Sequence, residues 1–336
     1  MNTPPPTPSP AASAPAVLTP AARALADALT AGFPALGPGT DVAAVRRAMA
    51  RPPAGLPALA SVTDRTIPGP AGAPPLPVRI YRPYGPGHGR AQAGPVPSLP
   101  LVLFFHGGGF VLCGLDSHDG LCRLLAAGTG AVVVSVDYRL APEHPAPAAV
   151  RDAYAAFDWA VRHAASLGCD PARVAVAGDS SGGGLAASVC LTARDRGGSR
   201  PAAQLLIYPA LDPRTDSASM RDFGEGHFLT AAAMRWYWEQ YLGGAEPTAE
   251  VAPALAEDTG GLPPALLVEA ECDPLRDEGQ AYAARLDRAE IHCARGMFHG
   301  FIDFAGELPE AAAAQERAVA WLRERLGIDG TAPPGT

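Results

Sequence analysis

Between residues 60 and 297, short β-rich runs alternate with stretches of helical periodicity, and this alternation leaves the chain few ways to fold. Successive parallel strands need a long crossover, usually a helix, so the pattern predicts a doubly wound α/β sheet with helices on both faces. Eight runs have strand length: 60–67, 78–81, 101–105, 131–136, 173–177, 203–207, 265–270 and 291–297. With 336 residues, 48% of them apolar, the chain can bury one large core plus an appendage. Residues 212–261, between the sixth and seventh runs, form an insertion too long for a plain crossover, and it carries a helical, aromatic stretch at 230–242.

The N-terminal part reads differently. Residues 1–18 hold Pro4, Pro5, Pro6, Pro8, Pro10 and Pro15 with little to bury, which predicts a mobile tail. Thr19 then offers an N-cap and Pro20 the first helical position; a second helix is expected over 41–50, and a proline-rich connector over 51–57. The expected organisation is a tail (1–18), the N-terminal part of a helical cap (19–55) and a main domain (56–330), with the 212–261 insertion as an open second contributor to the cap.

Charge and composition narrow the function. The net charge is −8, from 34 acidic and 26 basic residues, and no Lys/Arg run could track a phosphate backbone, which argues against nucleic acid. The six cysteines are scattered, with neither CxxC spacing nor a paired histidine cluster, so reduced thiols and no metal are expected. The N-terminal segment lacks the basic start and apolar run of a signal peptide, which predicts a cytoplasmic protein. The longest apolar runs fall far short of the roughly 18 residues a membrane span needs.

Chemistry concentrates at the ends of the predicted strands. In Gly178-Asp179-Ser180-Ser181-Gly182-Gly183 a strand ends on a serine between small residues and runs into a helix, as a nucleophile elbow requires: the turn is too sharp for larger neighbours. A bare GxSxG arises by chance about 0.2 times per chain of this composition, so it needs support. A glycine-rich phosphate loop is the rival reading, but the spacing fits neither GxxxxGK[ST] nor GxGxxG. Support comes from His106-Gly107-Gly108-Gly109 directly after the third strand, expected by chance only about 0.01 times per chain. Its main-chain N–H groups can converge, with that of Ser181, on the oxyanion of a tetrahedral intermediate. His106 is expected to order this loop without transferring protons; the bland alternative is a flexible glycine turn.

A nucleophilic serine needs a base and a carboxylate to orient it. Asp273 follows the seventh run and His299 the eighth, in the order Ser, Asp, His. Asp277 and Glu278 compete with Asp273 but are expected on the next helix, where solvated carboxylates are common. His292 competes with His299 but is expected inside the last strand; His88, His118, His144, His163 and His227 are read as solvated or structural.

These motifs, HGGG, GDSSGG, Asp273-Pro274-Leu275-Arg276-Asp277-Glu278 and His299-Gly300-Phe301, closely resemble the hormone-sensitive-lipase-like family of bacterial esterases. Asp137-Tyr138-Arg139-Leu140-Ala141-Pro142-Glu143 and Tyr208-Pro209-Ala210-Leu211-Asp212 match further family segments, and the likeness runs from residue 101 to 304. The resemblance implies an α/β-hydrolase fold, an eight-stranded mostly parallel sheet flanked by helices, with an N-terminal helical cap. It also implies an ester substrate with a short or medium acyl chain, no cofactor, and Gly108 and Gly109 as oxyanion donors. Ser181 departs from the family's usual alanine; only its N–H is required. Ser180, Asp273 and His299 are thus the expected catalytic residues, and Gly108, Gly109 and Ser181 the expected oxyanion hole. A small-molecule ester is the expected partner, with a homodimer left open. Amidase, lactonase and acyltransferase chemistry share the intermediate and stay open, as does a non-catalytic small-molecule receptor, which the complete triad disfavours.

Overall fold

The computed structural model of the protein describes residues 16–49, 56–84 and 98–328. The expected tail lies outside these residues except for 16–18, as do His88 and most of the 51–57 connector. The chain order is α1 (Pro20–Gly32), α2 (Val42–Met49), β1 (Ser61–Ile67), β2 (Leu76–Arg82), β3 (Leu99–Phe105), α3 (Asp119–Thr129), β4 (Val132–Val136), α4 (Ala148–His163), β5 (Cys169–Asp179), α5 (Ser181–Asp195), β6 (Gln204–Ile207), α6 (Ala218–Phe223), α7 (Ala231–Leu242), β7 (Ala265–Cys272), α8 (Arg276–Ala283), β8 (Ala289–Phe298) and α9 (Pro309–Arg325).

The eight strands form one sheet in the order β1-β2-β4-β3-β5-β6-β7-β8. Only β2 runs against its neighbours, pairing antiparallel with both β1 and β4. Alternation along β3 shows how the sheet makes two cores. Leu101, Leu103 and Phe105 face one, with Phe157, Leu185 and Val189 from α4 and α5. Val102 and Phe104 face the other, with Leu125, Trp321 and Leu322 from α3 and α9. Burial on both faces explains why β3 and β4 read as unbroken apolar runs. β5 begins four residues before its apolar run: Asp170 Oδ1 accepts from Ala172 N at 2.9 Å, a turn-like entry that masks the strand in the sequence.

Thr19 caps α1 as expected, its Oγ1 accepting from Ala22 N (3.3 Å), and Asp41 Oδ1 accepts from Ala44 N (2.9 Å) at the start of α2. Leu18, assigned to the tail from sequence, is buried instead, and Thr19 N donates to Gly296 O of β8 at 3.1 Å. The anchored chain therefore starts before residue 19. From α2, Arg46 donates to Val111 O and Ala141 O (2.7 Å each) and to both carboxylate oxygens of Glu143. No helix among the described residues is long and apolar enough to cross a membrane.

Candidate active site

β5 lies between β3 and β6 and delivers Ser180 at its end. Ser180 has φ 52° and ψ −122°, a conformation unfavourable for a non-glycine residue. Its neighbours hold it there: Ser180 N donates to Ile207 O (2.8 Å), and Ser180 O accepts from Ala210 N (2.9 Å) and Gly184 N (3.1 Å). The flanking glycines are required by close approach. A Cβ on Gly178 would sit 2.3 Å from Gly182 C, and one on Gly182 would sit 2.0 Å from Phe105 O.

His299 and Asp273 arrive from the ends of β8 and β7. His299 Nε2 is 2.9 Å from Ser180 Oγ, and His299 Nδ1 is 2.8 Å from Asp273 Oδ2. Asp273 Oδ1 accepts from Leu275 N at 2.8 Å, which fixes the carboxylate. A carboxylate only accepts, so Nδ1 carries the proton and Nε2 is left to take one from the serine hydroxyl. All three residues are buried, and the Tyr208 ring lies 4.5 Å from that of His299. His292 sits mid-strand in β8, as the sequence suggests.

Asp277 and Glu278 are not the solvated carboxylates expected. Glu278 is buried and accepts from Leu211 N at 2.7 Å; burial pushes its carboxyl well above the usual range. Asp277 Oδ2 accepts from Ser219 N at 2.8 Å. Both fasten the start of the 212–261 insertion to α8, the helix that follows Asp273.

The glycine loop is ordered peptide by peptide. In a trans peptide the C=O and the next N–H point in opposite directions, so holding one end aims the other. His106 Nδ1 donates to Gly107 O (2.7 Å), which sets the Gly108 N–H. Gly108 O accepts from Val111 N (3.1 Å) and Leu112 N (2.8 Å), which sets the Gly109 N–H. The doubly held Ser180 O sets the Ser181 N–H in the same way. Gly107 cannot serve as a donor to substrate, because its N–H is taken by Asp179 Oδ1 at 2.9 Å. Gly108 (φ 110°) and Gly109 (φ 62°) adopt backbone that favours glycine.

His106 is buried, stacked on Tyr138 at 4.3 Å, and its carbonyl accepts from the Tyr138 hydroxyl at 2.7 Å. Burial and the nearby His118 depress its pKa to about 3, so it stays neutral, which fits its expected ordering role. The Ser181 side chain is buried and takes no hydrogen bond from the triad. A wall closes over the loop from the insertion: a Cβ on Gly109 would sit 2.2 Å from Tyr237 Cδ1, and Phe110 stacks on Tyr241 at 3.8 Å. Phe228 bridges Phe33 at the end of α1 (6.0 Å) and Phe298 of β8 (6.1 Å).

Sequence reasoning missed His118, which is buried with Nε2 3.1 Å from Asp179 Oδ1. Nothing local to His118 marks it; the only hint is the acidic residue beside the elbow serine, which needs a partner once buried. No group of three or more His, Cys, Asp or Glu among the described residues could hold a metal.

Residues 102–303 match the α/β-hydrolase fold family. The carboxylic ester hydrolase LipN of Mycobacterium tuberculosis is 45% identical over 277 residues, covering 79% of this chain and 70% of that protein. The carboxylesterase NlhH of the same species is 40% identical over 323 residues, covering 92% and 96%. Among solved structures, the hyperthermophilic esterase of the archaeon Pyrobaculum calidifontis superposes with a TM-score of 0.78 at 40% identity, over 91% of this chain and 98% of that one. With its motifs, sheet order and relatives in agreement, the chain belongs to the hormone-sensitive-lipase-like branch of the α/β-hydrolase family.

Proposed function

We propose that the protein is a serine carboxylesterase that cleaves short- to medium-chain acyl esters through an acyl-enzyme. The observation that carries this reading is the unbroken Ser180–His299–Asp273 chain, with contacts of 2.9 and 2.8 Å, beside three aimed main-chain N–H groups. Ser180 Oγ attacks the ester carbonyl while His299 Nε2 takes its proton, and Asp273 stabilises the imidazolium that forms. The N–H groups of Gly108, Gly109 and Ser181 receive the oxyanion; each such donor is worth about 10²–10³ in kcat. His299 returns its proton to the leaving alcohol. Water, deprotonated by the same imidazole, then releases the acid.

The helices of residues 19–49, with the insertion, act as the cap and acyl-pocket wall in this reading. Its supports are the Arg46 bonds beside the glycine loop, the Phe33–Phe228 contact and the Tyr237 ring over Gly109. The test is a burst assay with p-nitrophenyl esters of graded chain length, followed by mass spectrometry after an organophosphonate probe. A burst and an adduct on Ser180, both absent from Ser180→Ala, are expected. An adduct on Ser181, or turnover of amides in preference to esters, would overturn the assignment.

A further inference from the structure

Three polar side chains behind the glycine loop, Ser117, His118 and Asp179, serve no step of the proposed reaction, and their proton count is informative. Ser117 Oγ has one proton; it accepts from Gly114 N (3.0 Å) and donates to Gly114 O (2.9 Å). With that proton on Gly114 O, its contact with His118 Nδ1, at 2.9 Å, is donated by the ring. On the other side His118 Nε2 faces Asp179, 3.1 Å from Oδ1 and 3.2 Å from Oδ2. The imidazolium donates to both, and the neighbouring Asp179 carboxylate favours that form by holding the His118 pKa above its ordinary value. The Gly107 N–H also comes within 3.2 Å of His118 Nε2, but a protonated Nε2 cannot accept, so that N–H goes to Asp179 alone.

Each partner adjoins a part of the site. Asp179 is the residue before Ser180, and Gly107 the residue before Gly108. A Cβ on Gly107 would sit 2.3 Å from Asp179 Oδ2, so the carboxylate reaches the loop only because that position is glycine. His118 immediately precedes α3 and follows the turn that closes the glycine loop. One ion pair thus joins the elbow, the glycine loop and the start of α3. Burial would push the His118 pKa down and that of Asp179 up, but their mutual attraction outweighs it in both, holding His118 above and Asp179 below its ordinary value.

We infer that His118, as the buried counter-charge of Asp179, is a positioning residue for the oxyanion hole, setting the distance between the glycine loop and the Ser180 elbow. This rests on the reading of Gly108 and Gly109 as oxyanion donors. Without the His118 charge, Asp179 is a buried carboxylate with one N–H for company, and it is driven to protonate or to draw in water. Either change loosens its bond to Gly107, and the Gly108 and Gly109 N–H groups shift with the loop. Donors of this kind act only when aimed at the oxyanion, so the loss falls on the transition state and spares substrate binding.

The test compares wild type, His118→Ala and His118→Gln, with Ser180→Ala as the blank. The readouts are kcat and KM on a p-nitrophenyl ester, and the inhibition constant of an alkyl trifluoromethyl ketone, which binds as an oxyanion adduct. His118→Ala should lower kcat about 100-fold with little change in KM, and weaken the ketone by a comparable factor. His118→Gln, which can still hydrogen-bond Asp179 without the charge, should fall between. The groups facing His118 are Asp179 from β5, His106 just after β3, Asp303 from the turn after His299 and the Ser117 hydroxyl. Wild-type kcat should fall on the alkaline side as His118 discharges, and His118→Gln should lack that fall. Unchanged kcat in both variants, or a kcat loss with ketone affinity intact, overturns the inference; if His118→Ala does not fold, His118→Gln alone decides. A wild type that turns over no ester would instead sink the proposed function, so the two failures are separable.

Discussion

Asp273 and Asp277 lie four residues apart, one just after β7 and the other in α8, and the geometry separates them completely. Asp273 touches His299, while Asp277 holds Ser219 N of the insertion. Asp273→Asn should cost about 10⁴-fold in kcat, because the amide forces the wrong imidazole tautomer. Asp277→Asn should leave kcat close to wild type and lower the unfolding free energy by about 1 kcal/mol, the worth of one hydrogen bond. Steady-state kinetics and urea denaturation on the two variants check both halves. Ser180, Asp273 and His299 are legible in the sequence because each ends a strand, where a short motif fixes both residue type and place. His118 and Asp179 are not: their pairing spans 61 residues and exists only once the fold brings the residue before α3 to the end of β5. Glu278 misleads for a related reason, since a helix start looks solvated until the insertion folds back over it.

Strand β7 carries a feature that hydrophobic patterning hides. Glu269 is buried mid-strand; its Oε2 accepts from Gln280 Nε2 at 3.1 Å, and its Oε1 has no partner among the described residues. Burial pushes its carboxyl up to about 7 from 4.5, so the folded protein keeps the proton that the unfolded chain gives up. Between pH 4.5 and 7 the native state binds more protons, and stability falls as pH rises. At about 1.4 kcal/mol per pH unit, the loss is on the order of 3 kcal/mol across that window. Glu269→Gln should abolish this slope, raising the urea midpoint at pH 8 and leaving it nearly unchanged at pH 4; equal shifts at both would show that ionisation is not the cause. At this scale the reading was good for strand number and order of appearance and poor for ends. β5 in particular starts at Cys169 and passes at once through an Asx turn containing Pro171, which sequence patterning treats as loop.

Across the whole molecule, the sheet and its helices were readable because burial on two faces imposes one period on strands and another on helices. The segments proposed as the roof over the site are harder to read from sequence. Their contacts, Phe33 on Phe228 and Arg46 on Val111, join segments that share no local pattern. A chain starting at residue 16 should keep the full acyl-chain profile, since Leu18 and Thr19 remain to pack against Gly296. A chain starting at residue 56 loses α1 and α2, uncovers Phe228 and frees Val111 O and Ala141 O from Arg46. It should stay folded by circular dichroism yet lose activity and chain-length preference; an unchanged profile would show that these helices are not the roof. The peptides held by their carbonyl ends have a consequence for how such a chain can diverge. The groups that would meet the oxyanion belong to the main chain, so side chains at those positions are free to drift wherever space allows, as serine in place of the usual alanine at position 181 illustrates. A scan replacing side chains one by one would pass over the proposed anion-binding half of the machinery and register it only through its supports: the glycines, Tyr138, His106, His118 and Asp179.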